Sequence, residues 1–312
     1  MALLAYLIGV PVHAYSSVSR VDAAPTGERP AEGKGSNYLL LGSDSREGLS
    51  AEQLDELATE QVEGNRTDTI MVLHKSDSGP SSLISIPRDS YVPIPGHGSQ
   101  KINAAFAIGG PQLMAATIEQ ATGLRIDGYL EIGFGGFAGV VDALGGVNIC
   151  VEQPMDDPMA GINLQPGCQV LSGPTALGYV RSRHADPTGD IGRAARQRQF
   201  LSAVVKAIAT PSTVLNPFRY WKVTHAGAAG VRLGEETSMT ETASMLMTMR
   251  SVSAGEGHSL VVPLRTTALQ TKNAGVAVQW DNERALALFT ALKNDDPMTA
   301  PPAGTDGVPS AG

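Results

Sequence analysis

The chain has 312 residues and a globular composition, with 42% hydrophobic and 17% charged residues, which excludes collagen-like, coiled-coil and wholly disordered proteins. A compact chain of this length can bury a large core. Its 31 Asp and Glu outnumber its 23 Lys and Arg, and the formal charge of −8 argues against a free-standing protein that binds the nucleic-acid backbone.

The first predicted element is an apolar segment at residues 1–12, MALLAYLIGVPV. It is shorter than the roughly 20 residues that span a bilayer, and it lacks the basic start of a complete signal sequence. It is either a buried N-terminal helix or the second half of a signal anchor, and the polar stretch that follows favours the anchor. We predict a partial membrane anchor at 1–15, a linker at 16–36, one folded domain at 37–294 and a disordered tail at 295–312.

Short apolar segments alternate with helical patterns through the rest of the chain. Strands are predicted at 38–42, 69–73, 82–86 and 129–132, and helices at 111–122, 134–144, 172–180 and 193–209. Weaker signals indicate strands at 260–263 and 276–279 and a last helix at 282–293. This alternation predicts an α/β domain.

The two cysteines, Cys150 and Cys168, cannot form a structural zinc site by themselves. They are either free buried thiols or a disulfide, which would require an oxidising compartment. The apolar N-terminus favours the disulfide, whose contribution to stability would be about 3 kcal/mol for a loop of moderate length.

One glycine-rich segment, at 133–138, fits the G-x-G-x-x-G/A pattern of dinucleotide-binding proteins. That pattern usually marks the first strand-to-helix turn of such a domain, whereas here three predicted strands precede it. Close packing of a helix on a sheet also explains the glycines. The sequence contains no P-loop, H-E-x-x-H or G-x-S-x-G motif.

Arginine is concentrated between residues 181 and 198. The cluster consists of Arg181, Arg183, Arg193, Arg196 and Arg198, with no lysine among them. A solvated basic face usually mixes Lys with Arg and with acidic partners. Planar guanidinium groups are suited to bidentate recognition of phosphate oxygens.

Two further arginines, Arg66 and Arg88, and two aspartates, Asp44 and Asp68, stand next to predicted strand ends. Such positions form the rim where open α/β sheets bind ligands. Either aspartate alone can cap a turn, but two carboxylates from adjacent strands can also hold Mg²⁺ together with phosphate oxygens and water. Several arginines and Mg²⁺ around one pocket indicate a pyrophosphate, whose transfer depends on positioning and charge neutralisation.

Seven short motifs occur in a fixed order. They are G-S-D-S-R at 42–46, R-T-D-T at 66–69, I-P-R-D at 86–89, K-I-N-A-A-F at 101–106, V-D-A-L-G-G-V at 141–147, V-R-S-R-H at 180–184 and D-I-G-R-x-x-R-Q at 190–197. The set resembles the LytR-CpsA-Psr family of cell-wall glycopolymer ligases, strongly over 37–201 and weakly to about 293. The cysteine pair is consistent with actinobacterial members of that family.

The resemblance implies a central mixed β-sheet flanked by helices on both faces, in a single domain with an apolar lipid pocket. It implies a membrane-anchored, extracytoplasmic enzyme that uses Mg²⁺, with Mn²⁺ as an alternative ion. Such enzymes move a glycopolymer from a polyprenyl pyrophosphate carrier to peptidoglycan and leave a phosphodiester on the muramic acid 6-hydroxyl. The implied partners are the lipid-linked donor, peptidoglycan and the membrane, with no nucleic acid.

Matched onto this chain, the family's metal ligands are Asp44 and Asp68. The implied catalytic residues are Arg66, Arg88, Arg181, Arg183, Asp190 and Arg193. The implied substrate-binding residues are Arg196, Gln197 and Lys101. Arg198 departs from the family pattern, in which Gln is commoner, and either adds a phosphate contact or points into water.

Two other functions remain open on the same residues. One is a polyprenyl pyrophosphatase, in which water replaces the sugar hydroxyl as the acceptor. The other is a non-catalytic envelope protein that only binds polyprenyl pyrophosphate. A DNA-binding regulator is disfavoured, because the sequence has no helix-turn-helix signal and its net charge is negative.

Overall fold

A computed structural model describes residues 2–45, 54, 57, 67–182 and 189–310, with residues 2–4, 189–191, 193 and 194 described only by their place in a helix. The chain forms two compact units, each assembled from separate segments. The first unit comprises Met1–Ser19, Asp44–Glu63 and Ile132–Arg232, and the second comprises Arg20–Ser43, Gly64–Glu131 and Leu233–Gly312.

The second unit is built on a seven-stranded mixed sheet. In spatial order its strands are β1 (Ser19–Val21), β12 (Val231–Gly234), β7 (Gly128–Ile132), β2 (Ser36–Ser43), β3 (Thr67–Lys75), β4 (Ser82–Ile86) and β13 (His258–Val261). The β2–β3 and β3–β4 pairs are antiparallel, whereas β4 and β13 are parallel. The central strands coincide with the predicted ones, because their apolar runs are buried on both sides of the sheet.

Helices cover both faces of this sheet. On one face, Leu39 and Leu41 of β2 belong to a core cluster that includes side chains of α2 (Asn103–Thr122) and α9 (Asn282–Asn294). On the other face, the hydroxyl of Tyr38 donates to Ser244 Oγ of α8 (Met239–Ser253) at 3.2 Å. Successive strand residues point to opposite faces, and because both faces are covered, residues 38–41 of β2 are all apolar or aromatic. The predicted mixed sheet with helices on both faces is confirmed.

Two hairpins complete the second unit, namely β5 (Tyr91–Ile94) with β6 (Gly98–Lys101), and β14 (Leu264–Gln270) with β15 (Val276–Trp280). Helix α2 begins earlier than predicted and is interrupted at Gly109 and Gly110, the second of which has φ of 60°. Its second half, starting at Pro111, is the helix that the sequence predicts.

The first unit has its own apolar core, formed mainly by helices and short hairpins. Its helices are α1 (Ala2–Tyr15), α3 (Phe134–Ala143), α4 (Gly173–Arg181), α5 (Gly189–Ile208), α6 (Pro211–Val214) and α7 (Pro217–Gly230), and its hairpins are β8 (Val147–Val151) with β11 (Gly167–Leu171) and β9 (Met155–Asp157) with β10 (Ile162–Leu164). A Cβ atom at Gly136 would lie 2.0 Å from Gly230 O, so α3 and α7 cross there only because both positions lack a side chain. This packing accounts for a glycine of the dinucleotide-like segment.

The structure joins Cys150 and Cys168 in a disulfide. The two cysteines stand directly opposite each other in the antiparallel register of β8 and β11. The predicted pairing therefore lies across a hairpin.

Residues 20–36 of the predicted linker at 16–36 are part of the second unit, which corrects the expectation of a free linker there. Arg20 Nη1 donates to the carbonyls of Gly234 and Thr237, at 3.0 and 2.7 Å. Arg29 forms an ion pair with the buried Glu119, with 2.6 Å between Nη2 and Oε1. These contacts fix the position of this segment within the second unit.

The predicted disordered tail is likewise ordered between residues 295 and 310, where it makes specific hydrogen bonds. Val261 N donates to Thr305 O at 2.8 Å, and Ser310 N donates to Leu264 O at 2.8 Å. At the other end of the chain, α1 coincides with the predicted apolar segment. Among the described residues, no helix combines the length and apolar character needed to cross a bilayer.

Candidate functional site

Four charged side chains of the second unit meet at one end of the sheet, and we call them the Asp68 cluster: Asp68, Arg88, Asp89 and Lys101. Asp68 lies near the start of β3 and Arg88 lies two residues beyond β4, and the antiparallel register places these strand ends side by side. Arg88 Nη1 donates to Asp68 Oδ1, and its Nε lies 3.5 Å from Asp89 Oδ2. Lys101 Nζ lies 2.9 Å from Asp89 Oδ1.

The backbone around Arg88 is fixed by neighbouring elements. Asn103 N, at the start of α2, donates to Arg88 O at 3.2 Å, and Val278 N of β15 donates to Asp89 O at 2.9 Å. All four side chains of the Asp68 cluster remain partly exposed. The cluster is therefore a preorganised pair of cations, held by carboxylates and accessible to a ligand, as recognition of an anionic group requires.

Sequence reasoning missed Asp89, although it occupies the last position of the I-P-R-D motif. It also missed Glu131, which is 1% exposed at the end of β7. Ser43 Oγ donates to Glu131 Oε1 and the Tyr129 hydroxyl donates to Glu131 Oε2, both at 2.8 Å. A buried carboxylate with two hydroxyl donors fixes the end of β2, one residue before Asp44.

In the first unit, Arg181 ends helix α4 and its guanidinium is held from two sides. Its Nη1 donates to Leu57 O at 3.1 Å. Its guanidinium carbon lies 4.8 Å from the centroid of the Phe134 ring, which is a cation–π distance. Neither partner was recognisable in the sequence, because a backbone carbonyl and an aromatic ring leave no charge pattern.

The residue that follows Arg181 is anchored by a separate network. Ser182 Oγ donates to Asp157 Oδ2 at 2.8 Å. Arg196 Nη2 donates to Ser182 O at 2.6 Å and its Nε donates to Tyr179 O at 3.3 Å. Arg196 is only 8% exposed, and these contacts join α5 to the end of α4. Its predicted contact with substrate stays a prediction.

Gln197 and Arg198, the next residues of α5, are both partly buried. Burial lowers the pKa of Arg198 from its ordinary value. Its Nη1 is buried and has no hydrogen-bond partner among the described residues. Of the two roles expected for Arg198, the structure thus disfavours the one in which the side chain merely points into water.

The remaining predicted residues are placed less fully. Arg66 and Arg183 lie outside the described residues, and Asp190 and Arg193 are described only as positions of α5. Asp44 directly follows β2 and is assigned to the first unit, whereas Asp68 is in the second. Their shared role as metal ligands stays a prediction.

The available donor groups are chemically suited to Mg²⁺. Within the described part of the chain, no three His, Cys, Asp or Glu side chains come together in a group that could hold a metal ion. Mg²⁺ bound to a substrate phosphate needs only one or two protein carboxylates, because phosphate oxygens and water complete its octahedron. In the second unit, Asp68 would supply one such carboxylate.

Comparison with known proteins decides the family. The model of the LytR_cpsA_psr family matches residues 11–294. The chain belongs to the LytR-CpsA-Psr family. The match runs through both compact units, so the single domain expected from the motifs is confirmed as one family domain.

Relatives of this LytR-CpsA-Psr protein support the assignment. It is 45% identical over 285 residues to the probable cell wall biosynthesis protein LcpB of Corynebacterium glutamicum, covering 91% of this chain and 67% of LcpB. The fold is similar to that of a LytR-Csp2A-Psr enzyme from Actinomyces oris, with a TM-score of 0.67, 23% identity and coverage of 88% and 96% of the two chains. A solved structure of TagT bound to LI-WTA gives a TM-score of 0.64, with 25% identity and coverage of 88% and 99%.

Proposed function

We propose that this protein is an extracytoplasmic phosphotransferase, which moves a glycopolymer from a polyprenyl pyrophosphate carrier to the muramic acid 6-hydroxyl of peptidoglycan. Family membership supports the proposal, as do a close relative named for cell wall biosynthesis and a structural relative bound to LI-WTA. The observation that carries it is the Asp68 cluster. In this cluster Arg88 and Lys101 are held by carboxylates at one end of the sheet, and one of these carboxylates is the predicted metal ligand Asp68.

In the proposed reaction, the acceptor hydroxyl attacks the sugar-side phosphorus. The new P–O bond forms as the bond to the bridging oxygen breaks, polyprenyl phosphate leaves, and the hydroxyl proton passes to a base. Arg88 and Lys101 would bind the diphosphate oxygens and stabilise the charge that builds on the bridging oxygen. When bound, Mg²⁺ would neutralise charge on the same oxygens.

The proposed location outside the cytoplasm also rests on membership of the family. We place the domain outside the cytoplasmic membrane, with the N-terminal apolar segment as part of its anchor. The Cys150–Cys168 pair supports this placement, because structural disulfides persist in oxidising compartments. The prenyl chain of the donor would lie in an apolar pocket.

The test supplies the full chain with a polyprenyl-pyrophosphate glycan, peptidoglycan and Mg²⁺, and measures both polyprenyl phosphate release and glycan bound to peptidoglycan. Arg88→Ala should lower the rate by about 10²–10³, the usual effect of removing one charge-stabilising donor. Arg265→Ala is the matched control, because Arg265 is exposed on β14. Circular dichroism and a melting curve establish that both variants are folded.

Each alternative function has its own result in this assay. Release of polyprenyl phosphate at the same rate without peptidoglycan would identify a pyrophosphatase. Retention of the donor without turnover, unaffected by chelation of Mg²⁺, would identify a binding protein. Full transfer activity in folded Arg88→Ala would contradict the proposed site.

A further inference from the structure

Helices α1 and α7 of the first unit lie side by side and are joined by polar contacts along their length. The Tyr6 hydroxyl donates to Pro217 O at 2.7 Å, and the Tyr220 hydroxyl donates to Leu7 O at 3.1 Å. Near the other end of α1, His13 Nδ1 lies 3.1 Å from His225 Nε2. The two helices therefore present one combined outer face.

Five exposed apolar side chains belong to these two helices and to the turn just before α7, and we call them the α1–α7 patch: Ile8, Val12, Leu215, Phe218 and Trp221. Phe218 is 87% exposed and Trp221 is 47% exposed. Ile8 and Val12 are four residues apart on α1, and Phe218 and Trp221 are three apart on α7, so each pair shares one side of its helix. Exposed apolar residues gathered in this way mark an interaction surface.

The sequence segments that form the patch carry charge of one sign. The sequence has no Asp or Glu between Asp190 and Glu235, although the whole chain has a formal charge of −8. On the N-terminal side, the first acidic residue is Asp22. Lys222, next to Trp221, is exposed, as is Lys206 near the end of α5.

This combination matches the chemistry of a bilayer surface. Trp prefers the boundary between headgroups and acyl chains, where its ring is in an apolar layer and its N–H meets water. Lysines beside an apolar patch attract anionic headgroups. A second copy of this chain is a poorer partner, because the sequence stretches that form α1 and α7 carry no carboxylate to pair with Lys222 across a two-fold axis.

We propose that the α1–α7 patch docks on the surface of a membrane that contains anionic lipids. Phe218 and Trp221 enter the headgroup region, and Lys222 contacts lipid phosphates. The inference depends on the patch alone and not on the proposed transfer reaction. Docking at this face would add Leu215, Phe218 and Trp221 to the membrane contacts of the N-terminal apolar segment, which itself supplies Ile8 and Val12.

The two tryptophans of the chain provide a direct readout. Trp280 is 8% exposed, and its Nε1 donates to Ser90 Oγ, so a Trp280→Phe chain reports on Trp221 alone. On addition of phosphatidylcholine vesicles containing phosphatidylglycerol, the Trp221 emission should shift to shorter wavelength, and brominated lipid should quench it. An unchanged spectrum at saturating lipid would overturn the proposal.

A vesicle-sedimentation assay with surface variants distinguishes binding by the patch from nonspecific hydrophobic adsorption. It also distinguishes it from insertion of α1 into the bilayer. Leu215→Ser with Phe218→Ser should weaken binding to the anionic vesicles on the order of tenfold or more. The matched control is Met247→Ser with Leu286→Ser, which removes two side chains of 67% and 69% exposure from the second unit and should leave binding unchanged. Lys222→Glu should weaken binding at low salt and less so at high salt.

Two results would reject membrane docking by the patch. One is binding of the Leu215→Ser, Phe218→Ser chain as tight as that of the unaltered chain, which would assign membrane attachment elsewhere. The other is sedimentation velocity that shows a dimer dissociated by the same variant, together with no vesicle binding, which would make the patch an interface between copies. Unchanged melting curves establish that the variants are folded.

Discussion

Arg196 and Gln197 are adjacent in sequence and match one family motif, and both were predicted to bind substrate. Their surroundings in the structure differ. The Arg196 guanidinium is buried and donates to two backbone carbonyls, at Tyr179 and Ser182. Those carbonyls belong to the segment that presents Arg181. A charged donor used in this way fixes the backbone geometry of the segment that carries Arg181.

Replacing Arg196 with Ala should therefore reduce the free energy of unfolding. Two buried carbonyls lose a charged donor, and a hydrogen bond to a charged group contributes about 1.5–3 kcal/mol. Gln197→Ala is the comparison, and should lower transfer activity with little change in stability. Urea denaturation and the transfer assay measure the two quantities. A loss of activity in Arg196→Ala with unchanged unfolding free energy would restore the substrate contact predicted from the sequence.

Among the elements, the β8–β11 hairpin depends most on a covalent link. Its second strand is largely exposed, with Val170 at 66%. The disulfide joins Cys150 to Cys168 across the pair, and Gln199 Nε2 of α5 donates to Cys150 O at 3.1 Å. The crosslink thus holds β11, which has little apolar burial, against β8. The Gln199 hydrogen bond connects the crosslinked pair to α5.

Reduction of the disulfide should lower the free energy of unfolding by about 3 kcal/mol, the value expected for a loop of this size. Thermal unfolding with and without a thiol reductant measures the change. The Cys150→Ala, Cys168→Ala chain should melt at the lower temperature and be insensitive to the reductant. Titration of two free thiols in the unreduced, air-exposed protein would contradict the pairing.

The elements also show what local sequence can and cannot specify. The strands β2, β3 and β4 were predictable because each is a short apolar run between turn residues. The β9–β10 hairpin was not, because three-residue strands carry too little pattern. In the candidate site, the approach of Asp68 to Arg88 follows from neighbouring strand ends. The Ser182–Asp157 bond joins residues 25 positions apart and leaves no local signal.

At the scale of the whole molecule, the sequence was least informative about the structure of the C-terminal segment. The Pro- and Gly-rich composition of residues 295–312 predicted disorder, but composition reports the absence of periodicity and not the absence of contacts. Asp295 adopts a left-handed backbone with φ of 54°. Its Oδ1 lies 3.3 Å from Nε2 of the buried His74 in β3, and its Oδ2 accepts from Asp77 N at 2.9 Å. The start of the tail is therefore locked to the central sheet.

This lock makes stability depend on pH in a defined direction. Burial lowers the pKa of His74 below its ordinary value of 6.5, and the hydrogen bond that its ring donates to Asp295 opposes that shift only in part. The unfolded chain therefore binds more protons than the folded chain from about pH 6.5 down to the lowered pKa of His74 in the folded protein. Stability that is fully present above this pH is lost as the pH falls, by at most about 1.4 kcal/mol per pH unit for one proton. Burial raises the pKa of Asp295, but hydrogen bonds from Ser76, Asp77 and His74 outweigh it and lower the pKa, so its contribution is lost only in more acidic solution.

His74→Gln should remove the pH dependence that His74 contributes while keeping a side chain that can hydrogen-bond to Asn37 and Asp295. Urea unfolding at several values between about pH 7.5 and 5.5 measures the slope. The unaltered chain should lose more stability across this interval than His74→Gln, even if the variant is less stable at neutral pH. The matched control is His97→Gln, because His97 is exposed in the β5–β6 turn and should leave the slope unchanged. Parallel curves for the unaltered chain and His74→Gln would show that His74 is protonated as readily in the folded protein as in the unfolded one.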